Sequence, residues 1–328
     1  MSIQYLTNTD PDAKIAVIKN GIINNRVIYL SKNTSVELPT LYTPWWIPEI
    51  SERIIMRFEK NPLQLIRHTN KADVLYVFDT WGTTSYYHLL IDTIIPLWIT
   101  KRSFDKNTRL GEYTSRYFRF SNNGYSSDLP TIYEIFHYFF GQRFMNHESG
   151  SYSHIVYGYF CTHIPYKGPY YEFRYSQVYQ AELTEFINAF RLTSNERYIL
   201  VAKRIGVTRN YNEMDEVVSL LSKVYPIKYI DFSMLSIRQQ IEICAGAYVL
   251  IGMEGAAFAN QIFLQDNSTI IILWKDIDTM RLRFHSDLAR YTGHTYFAIE
   301  ITDETTPTSL VEQISCHVQP SARQVQET

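Results

Sequence analysis

Cysteine is scarce: the 328 residues carry three, Cys161, Cys244 and Cys316, far apart and odd in number. Neither a disulfide framework nor a C-x-x-C zinc pair can be assembled from them, so the chain reads as one suited to a reducing compartment. A surplus of charge is lacking too. Lys and Arg number 31 against 33 Asp and Glu, a formal net charge of -2, with no long run of one sign. That removes the electrostatic footprint of a nucleic-acid binder or of a protein that coats an anionic membrane. The most apolar runs, residues 93–100 and 269–274, are far too short to span a bilayer, and no integral membrane segment is expected. The opening MSIQYLTNTDPDAK has no basic stretch followed by an apolar one, so no signal peptide is expected and cytoplasmic residence is. There is no internal repeat, and no G-x-G-x-x-G follows an early strand, which argues against a dinucleotide-dependent enzyme such as a nucleotide-sugar epimerase.

What is present is ordinary globular composition, 45% hydrophobic and 20% charged, in a chain long enough for two medium domains. Aromatic residues are abundant, with 26 Tyr and 18 Phe, and tyrosines crowd between Tyr113 and Tyr179. A ring with a polar tip suits contacts to sugars, but an aromatic core under long loops is the plainer reading.

Between Glu196 and Glu300 short apolar runs alternate with helical patterns. Strands are expected at 197–204, 227–230, 247–252 and 268–274. Helices are expected after Asn212, as an N-cap with acids in the first turn, after Ser236, with Gln239 completing a capping box, and over EGAAFANQIFL. Alternation of this kind means parallel strands joined by right-handed crossovers, half of a doubly wound fold. Earlier, strands are expected at 14–19, 27–30 and 74–78, with an amphipathic helix from about Ser85 to Pro96 and another from about Ser176 to Arg191. LTSNER is the best linker. The expected organisation is therefore an α/β protein with domains 1–193 and 194–328, the final helix able to return onto the first.

Three clusters carry candidate chemistry. Lys203 and Arg204 end a strand, and the loop GVTRNYN brings Arg209 and Asn212 to the start of a helix. Ligands of doubly wound domains bind at the carboxyl ends of strands, so this loop suits a phosphate, an Arg pair gripping a diphosphate. Solvated surface cations are the bland alternative. In VLIGMEGAAFAN a strand ends at Gly252, and Gly255, Ala256 and Ala257 keep side chains small where backbone amides approach a ligand. Glu254 there would repel a phosphate and instead suits sugar or ribose hydroxyls; close helix packing explains the small residues equally well. In SYYHLLID, His88 and Asp92 are four apart and share a helix face, as a base and its orienter or as a structural pair.

Taken together, in order and across residues 86–274, these clusters resemble glycosyltransferase family 61. Its block "HxLxDxLPxLW" resembles the run from His88 to Trp98, which keeps His88, Leu90, Asp92, Leu97 and Trp98 in place and has Pro96 one position later. "RxxxxRxxxNExEL" resembles the run with Arg204, Arg209, Asn212 and Glu213, one residue shorter between Arg209 and Asn212, and "GxHGAGxxN" is met by Gly252, Gly255, Ala256 and Asn260. Glu254 stands where the commoner pattern has His, and Ala257 where it often has Gly. The resemblance implies a GT-B fold, two Rossmann-like domains facing across a cleft. It implies a nucleotide-sugar donor on the C-terminal domain, held by Lys203, Arg204, Arg209, Asn212, Gly252, Glu254, Gly255, Ala256 and Asn260. A glycan or glycoprotein acceptor falls to the N-terminal domain, and transfer proceeds with inversion. UDP-xylose and UDP-N-acetylglucosamine are the favoured donors because family members use them. No cofactor and no metal is expected: the D-x-D triplets Asp10-Pro-Asp12 and Asp276-Ile-Asp278 sit where the metal-using glycosyltransferase fold would not need them. The oligomeric state is open, and a catalytically silent sugar- or nucleotide-binding module is the alternative function, prompted by Glu254.

Overall fold

The computed structural model describes residues 2–6, 13–24, 27–30, 55–58, 69–78, 85–108, 110, 112–119, 129–145, 149–160, 177–205, 210–275 and 279–318. The chain divides into two compact units, Met1–Phe186 and Ile187–Thr328.

The first unit is built on β1 (Ser2–Tyr5), β2 (Ala13–Asn24), β3 (Val27–Leu30), β4 (Ile55–Phe58), β5 (Thr69–Phe78), β6 (Thr114–Arg119) and β7 (Ser149–Phe160). They form one sheet in the order β4-β3-β2-β7-β5-β6, with β1 against β2. β2 runs antiparallel to β1, β3 and β7, whereas β5 is parallel to β6 and β7. The sheet is therefore mixed, not the parallel one of a Rossmann-like half. Only Asn25 and Arg26 separate β2 from β3, a link too short for a crossover, so that pair has to be antiparallel. Strand β7, absent from the sequence expectations, lies mid-sheet with Tyr152, Ile155, Val156 and Tyr157 buried. Many of the crowded aromatics are core: Tyr76 stacks on Tyr117 at 5.4 Å, and Phe136 packs between Phe78 and Phe144.

The helix expected to stop at Pro96 continues past it. It comprises α1 (Tyr86–Leu89), a π-turn (Leu90–Ile94) and α2 (Ile95–Asn107). Proline has no N–H for the carbonyl four residues back, here that of Asp92, and its ring crowds that carbonyl. Widening to π geometry just upstream absorbs the mismatch. α2 then lies on the sheet so closely that a Cβ at Gly158 would fall 1.7 Å from Thr100 Oγ1. α3 (Leu129–Phe140) and α4 (Gln177–Phe190) follow.

In the second unit β8 (Tyr198–Ala202), β9 (Ile227–Ile230), β10 (Ala247–Met253), β11 (Thr269–Trp274) and β12 (Thr295–Glu300) are all parallel, in the order β12-β11-β10-β8-β9. β12 is a fifth strand that the sequence reading did not contain. The helical elements are α5 (Met214–Leu221), α6 (Ile237–Cys244), a 3₁₀ segment (Ala256–Phe263), α7 (Thr279–Tyr291) and α8 (Pro307–His317). Ile199, Val201, Val249, Ile251, Ile271 and Leu273 share a core with Met214 and Val217 of α5 and Leu310 and Ile314 of α8. Alternate positions Leu200, Leu250, Ile270 and Ile272 are equally buried, which is how a sheet covered on two faces comes to read as unbroken apolar runs. α8 packs on α5 within its own unit.

Two local expectations also change. The cap position of α5 is Glu213 with no side-chain bond, not Asn212, while the Ser236–Gln239 capping box forms as read. EGAAFANQIFL winds as a 3₁₀ segment instead of an α-helix.

His294, buried just before β12, donates from Nε2 to the Gln261 carbonyl at 2.9 Å, and burial pushes its imidazole down to about 4. An unfolded histidine titrates near about 6.5, so the unfolded state binds the extra proton between these values. Its stability contribution is complete above that window and is lost as pH falls through it, by ~3 kcal/mol. The urea midpoint should therefore drop between pH 7 and pH 4.5, and drop less in His294→Gln; equal pH slopes in the two proteins would place the acid sensitivity elsewhere.

Candidate active site

Strand order reverses between β8 and β10, and the crevice outside the carboxyl ends of those strands is where doubly wound sheets take ligands. The residues there come from two short turns. Lys203 continues the β8 ladder, its N–H donating to the Ile230 carbonyl at 2.7 Å. Its exposed ammonium lies 5.0 Å over the Tyr229 ring and 3.9 Å from Asp215 Oδ1. Burial, with Asp215 accepting its hydroxyl hydrogen, pushes Tyr229 up to about 12. Lys203 is therefore drawn toward the β9 side. Arg204 turns the other way and donates from Nη1 to the Glu254 carbonyl just past β10.

Small residues make that approach possible. A Cβ at Gly255 would lie 2.5 Å from Arg204 Nη1, and one at Gly252 would lie 3.0 Å from both the Cβ and the carbonyl oxygen of Ala202. Gly255 is extended, with φ 169°, so space rather than backbone strain selects glycine there. Ala256 opens the 3₁₀ segment, whose first N–H groups have no partner within it and face a ligand favourably when that ligand is an anion. Glu254 is buried: its N–H donates to the Leu273 carbonyl at 2.8 Å, and its Oε1 lies 3.6 Å from Nε2 of His285 on α7, itself buried.

Of the residues singled out in the sequence, Arg204, Gly252, Glu254, Gly255 and Ala256 meet here. Asn260 does not face outward: it is fully buried and donates to Gln240 Oε1 at 2.9 Å, and Gln240 in turn donates to the Phe232 and Leu235 carbonyls. Asn212 is exposed in the turn before α5. Arg209 lies outside the described residues, as do Asp10, Asp12, Asp276 and Asp278. Among the described residues no group of three or more His, Cys, Asp or Glu side chains could hold a metal ion. His285 was missed by sequence reading; nothing local marks it, because its relation to Glu254 exists only once α7 packs over the 3₁₀ segment.

In the first unit, His88 Nδ1 and Asp92 Oδ2 are 2.6 Å apart. Asp92 is the more enclosed, its side chain 8% exposed against 23% for His88. A carboxylate at Nδ1 selects the tautomer that carries hydrogen there, which leaves Nε2 as the basic nitrogen. The pair straddles α1 and the π-turn, and Tyr179 of α4 donates to the Ile91 carbonyl at 2.8 Å, fixing the turn between the two residues.

By fold this is an α/β protein whose second unit is doubly wound. The chain belongs to the glycosyltransferase 61 family, whose profile matches residues 86–271, from the start of α1 into β11. It is accordingly a glycosyltransferase, a class of enzyme that transfers a sugar from a donor to an acceptor. Among curated proteins, none matches the chain.

The two glycines separate by what a methyl group would meet. Gly252→Ala presses on backbone and should cost roughly 1–3 kcal/mol of unfolding free energy. Gly255→Ala meets only the end of a flexible guanidinium and should cost less than about 1 kcal/mol while displacing Arg204. Denaturant unfolding of both variants measures this; a larger loss at Gly255 would mean that Arg204 is rigidly fixed.

Proposed function

We propose that this chain is a metal-independent, inverting glycosyltransferase of GT-B arrangement. In this reading the second unit takes the diphosphate of a nucleotide-sugar, UDP-xylose or UDP-N-acetylglucosamine first among candidates, and the first unit supplies the base for a glycan or glycoprotein hydroxyl. The observation that carries the reading is Arg204 brought over Gly255 at the β8/β10 reversal, beside the opening of the 3₁₀ segment. Arg209, from the same loop, is assigned to the same diphosphate, and Lys203 to the rim of the site. Asn260 serves this site by tying the 3₁₀ segment to Gln240, and Asn212 by its place in the loop.

The chemistry follows from these assignments. The acceptor O–H gives its proton to His88 Nε2 while Asp92 holds the ring and balances the imidazolium charge. The freed oxygen attacks the anomeric carbon from the side opposite the diphosphate. The bond from carbon to the diphosphate oxygen breaks, configuration inverts, and the charge left on the nucleoside diphosphate is met by guanidinium groups and backbone N–H. The enzyme is placed in the cytoplasm, a reading that rests on the three scattered cysteines of the sequence. A catalytically silent binding module is the second reading, favoured by the buried Glu254; it predicts binding without turnover.

Thermal-shift screening of nucleotide-sugars, followed by release of nucleoside diphosphate with candidate acceptors, tests the proposal. Arg204→Ala and Arg209→Ala should each weaken donor binding about 10- to 100-fold, as expected for a lost charge-assisted phosphate contact; unchanged affinity in both would refute the assignment. His88→Ala should abolish transfer while leaving donor affinity intact, and Asp92→Asn should leave a partial rate. An active His88→Ala beside a dead Asp92→Asn would exchange their roles. Activity lost to chelator and restored by manganese would overturn metal independence.

A further inference from the structure

The proline inside the first unit's helix withholds a backbone donor from one particular carbonyl. In the π-turn the Ile95 N–H donates to the Leu90 carbonyl, five residues back, so it is not spent on Ile91, its partner in α register. In π register the donor to Ile91 falls at residue 96, which is proline and has no N–H. Ile91 is fully buried, and a buried carbonyl left unanswered is costly. Tyr179, fully buried as well, answers it with its hydroxyl at 2.8 Å. That hydroxyl is carried on a fixed frame. Its helix α4 is joined to α2, beyond the turn, by Lys106 and Glu182 at 2.8 Å and by the edge-on contact of Trp98 with Phe186 at 5.5 Å.

The Ile91 carbonyl and the Asp92 N–H belong to one planar peptide. Whatever fixes that carbonyl fixes the backbone from which the Asp92 carboxylate reaches His88 Nδ1 at 2.6 Å. We infer that Tyr179 is a positioning residue for the His88–Asp92 pair: its hydroxyl takes the place of the N–H that Pro96 lacks, holds the Ile91–Asp92 peptide and so keeps the carboxylate on Nδ1. The consequence for catalysis rests on His88 and Asp92 as the base and its orienter. Tyr179 and Pro96 are thereby interdependent. An alanine at 96 gives the Ile91 carbonyl a backbone donor in π register, and if the turn relaxes to α register Ile95 supplies one, so either way the hydroxyl becomes dispensable. A tyrosine that only fills space has no such relation to residue 96.

Two readouts on purified full-length protein test this. Long-range proton–nitrogen NMR of histidine-labelled protein, with the His88 signal assigned by its loss in His88→Gln, shows which ring nitrogen carries the hydrogen and needs no substrate. Turnover of UDP-xylose and UDP-N-acetylglucosamine, set beside calorimetric affinity for UDP, separates catalysis from donor binding. Tyr179→Phe should turn the single Nδ1–H form of His88 into a mixture of tautomers and lower kcat by about tenfold or more. Its UDP affinity should stay within about threefold of the parent, since the donor contacts are untouched. Tyr179→Phe/Pro96→Ala should recover most of the tautomer and of the rate. A parent-like tautomer in Tyr179→Phe, a parent-like kcat beside a dead His88→Ala, or a defect that Pro96→Ala leaves untouched overturns the inference. Should Tyr179→Phe fail to fold, Pro96→Ala is compared with the double variant, which it should match; a loss on removing the hydroxyl there overturns the inference too. A tautomer that shifts as expected while His88→Ala keeps full turnover overturns the base reading and leaves the hold of Tyr179 on the pair standing.

Discussion

A parallel sheet has to be covered on both faces, and that requirement arranges the rest of the second unit. Each strand must be apolar along its whole length, and each connection must be a helix that returns over one face or the other. Chain reversal from one face to the other opens a gap beyond the strand ends, and here it falls between β8 and β10. Polar residues can gather there without disturbing the core. Arg204, Gly255 and Glu254 sit at that gap because the sheet's own covering leaves nowhere else for them at the carboxyl ends of these strands.

Within the gap, burial and charge are set against each other. Arg204 reaches the turn after β10 past Gly255, which has no side chain in its way, and the buried Glu254 carboxylate beside it lies 3.6 Å from His285 of α7. The second contact comes from packing far along the chain, so the electrostatics of the turn depend on the helix that covers it. Asn260 and Gln240 do comparable work underneath: Asn260 donates to Gln240 Oε1 and Gln240 to the Phe232 and Leu235 carbonyls, tying the 3₁₀ segment to α6. Polar groups in the interior that are each answered in this way hold a loop in one position more firmly than apolar contacts of the same size would.

The first unit solves a different problem. Pro96 within a helix removes one backbone bond, and the π-turn just before it absorbs the loss while keeping His88 and Asp92 in contact. π-turns commonly accompany functional positions because they re-aim side chains that a regular helix would place elsewhere.

Periodicity made much of the second unit legible from the sequence: β8 to β11, the Ser236–Gln239 box and the parallel character of the sheet all follow from patterns within a dozen residues. The i, i+4 spacing of His88 and Asp92 was legible for the same reason, since a helix brings such residues together whatever surrounds it. The mixed sheet of the first unit was not, because β7 is sandwiched among aromatics with no clean alternation and its partner β2 lies far back along the chain. Nor did the sequence disclose that Asn260 turns inward or that His285 meets Glu254. Local rules place residues on a face of one element; which face is covered, and by what, is decided only when the elements pack.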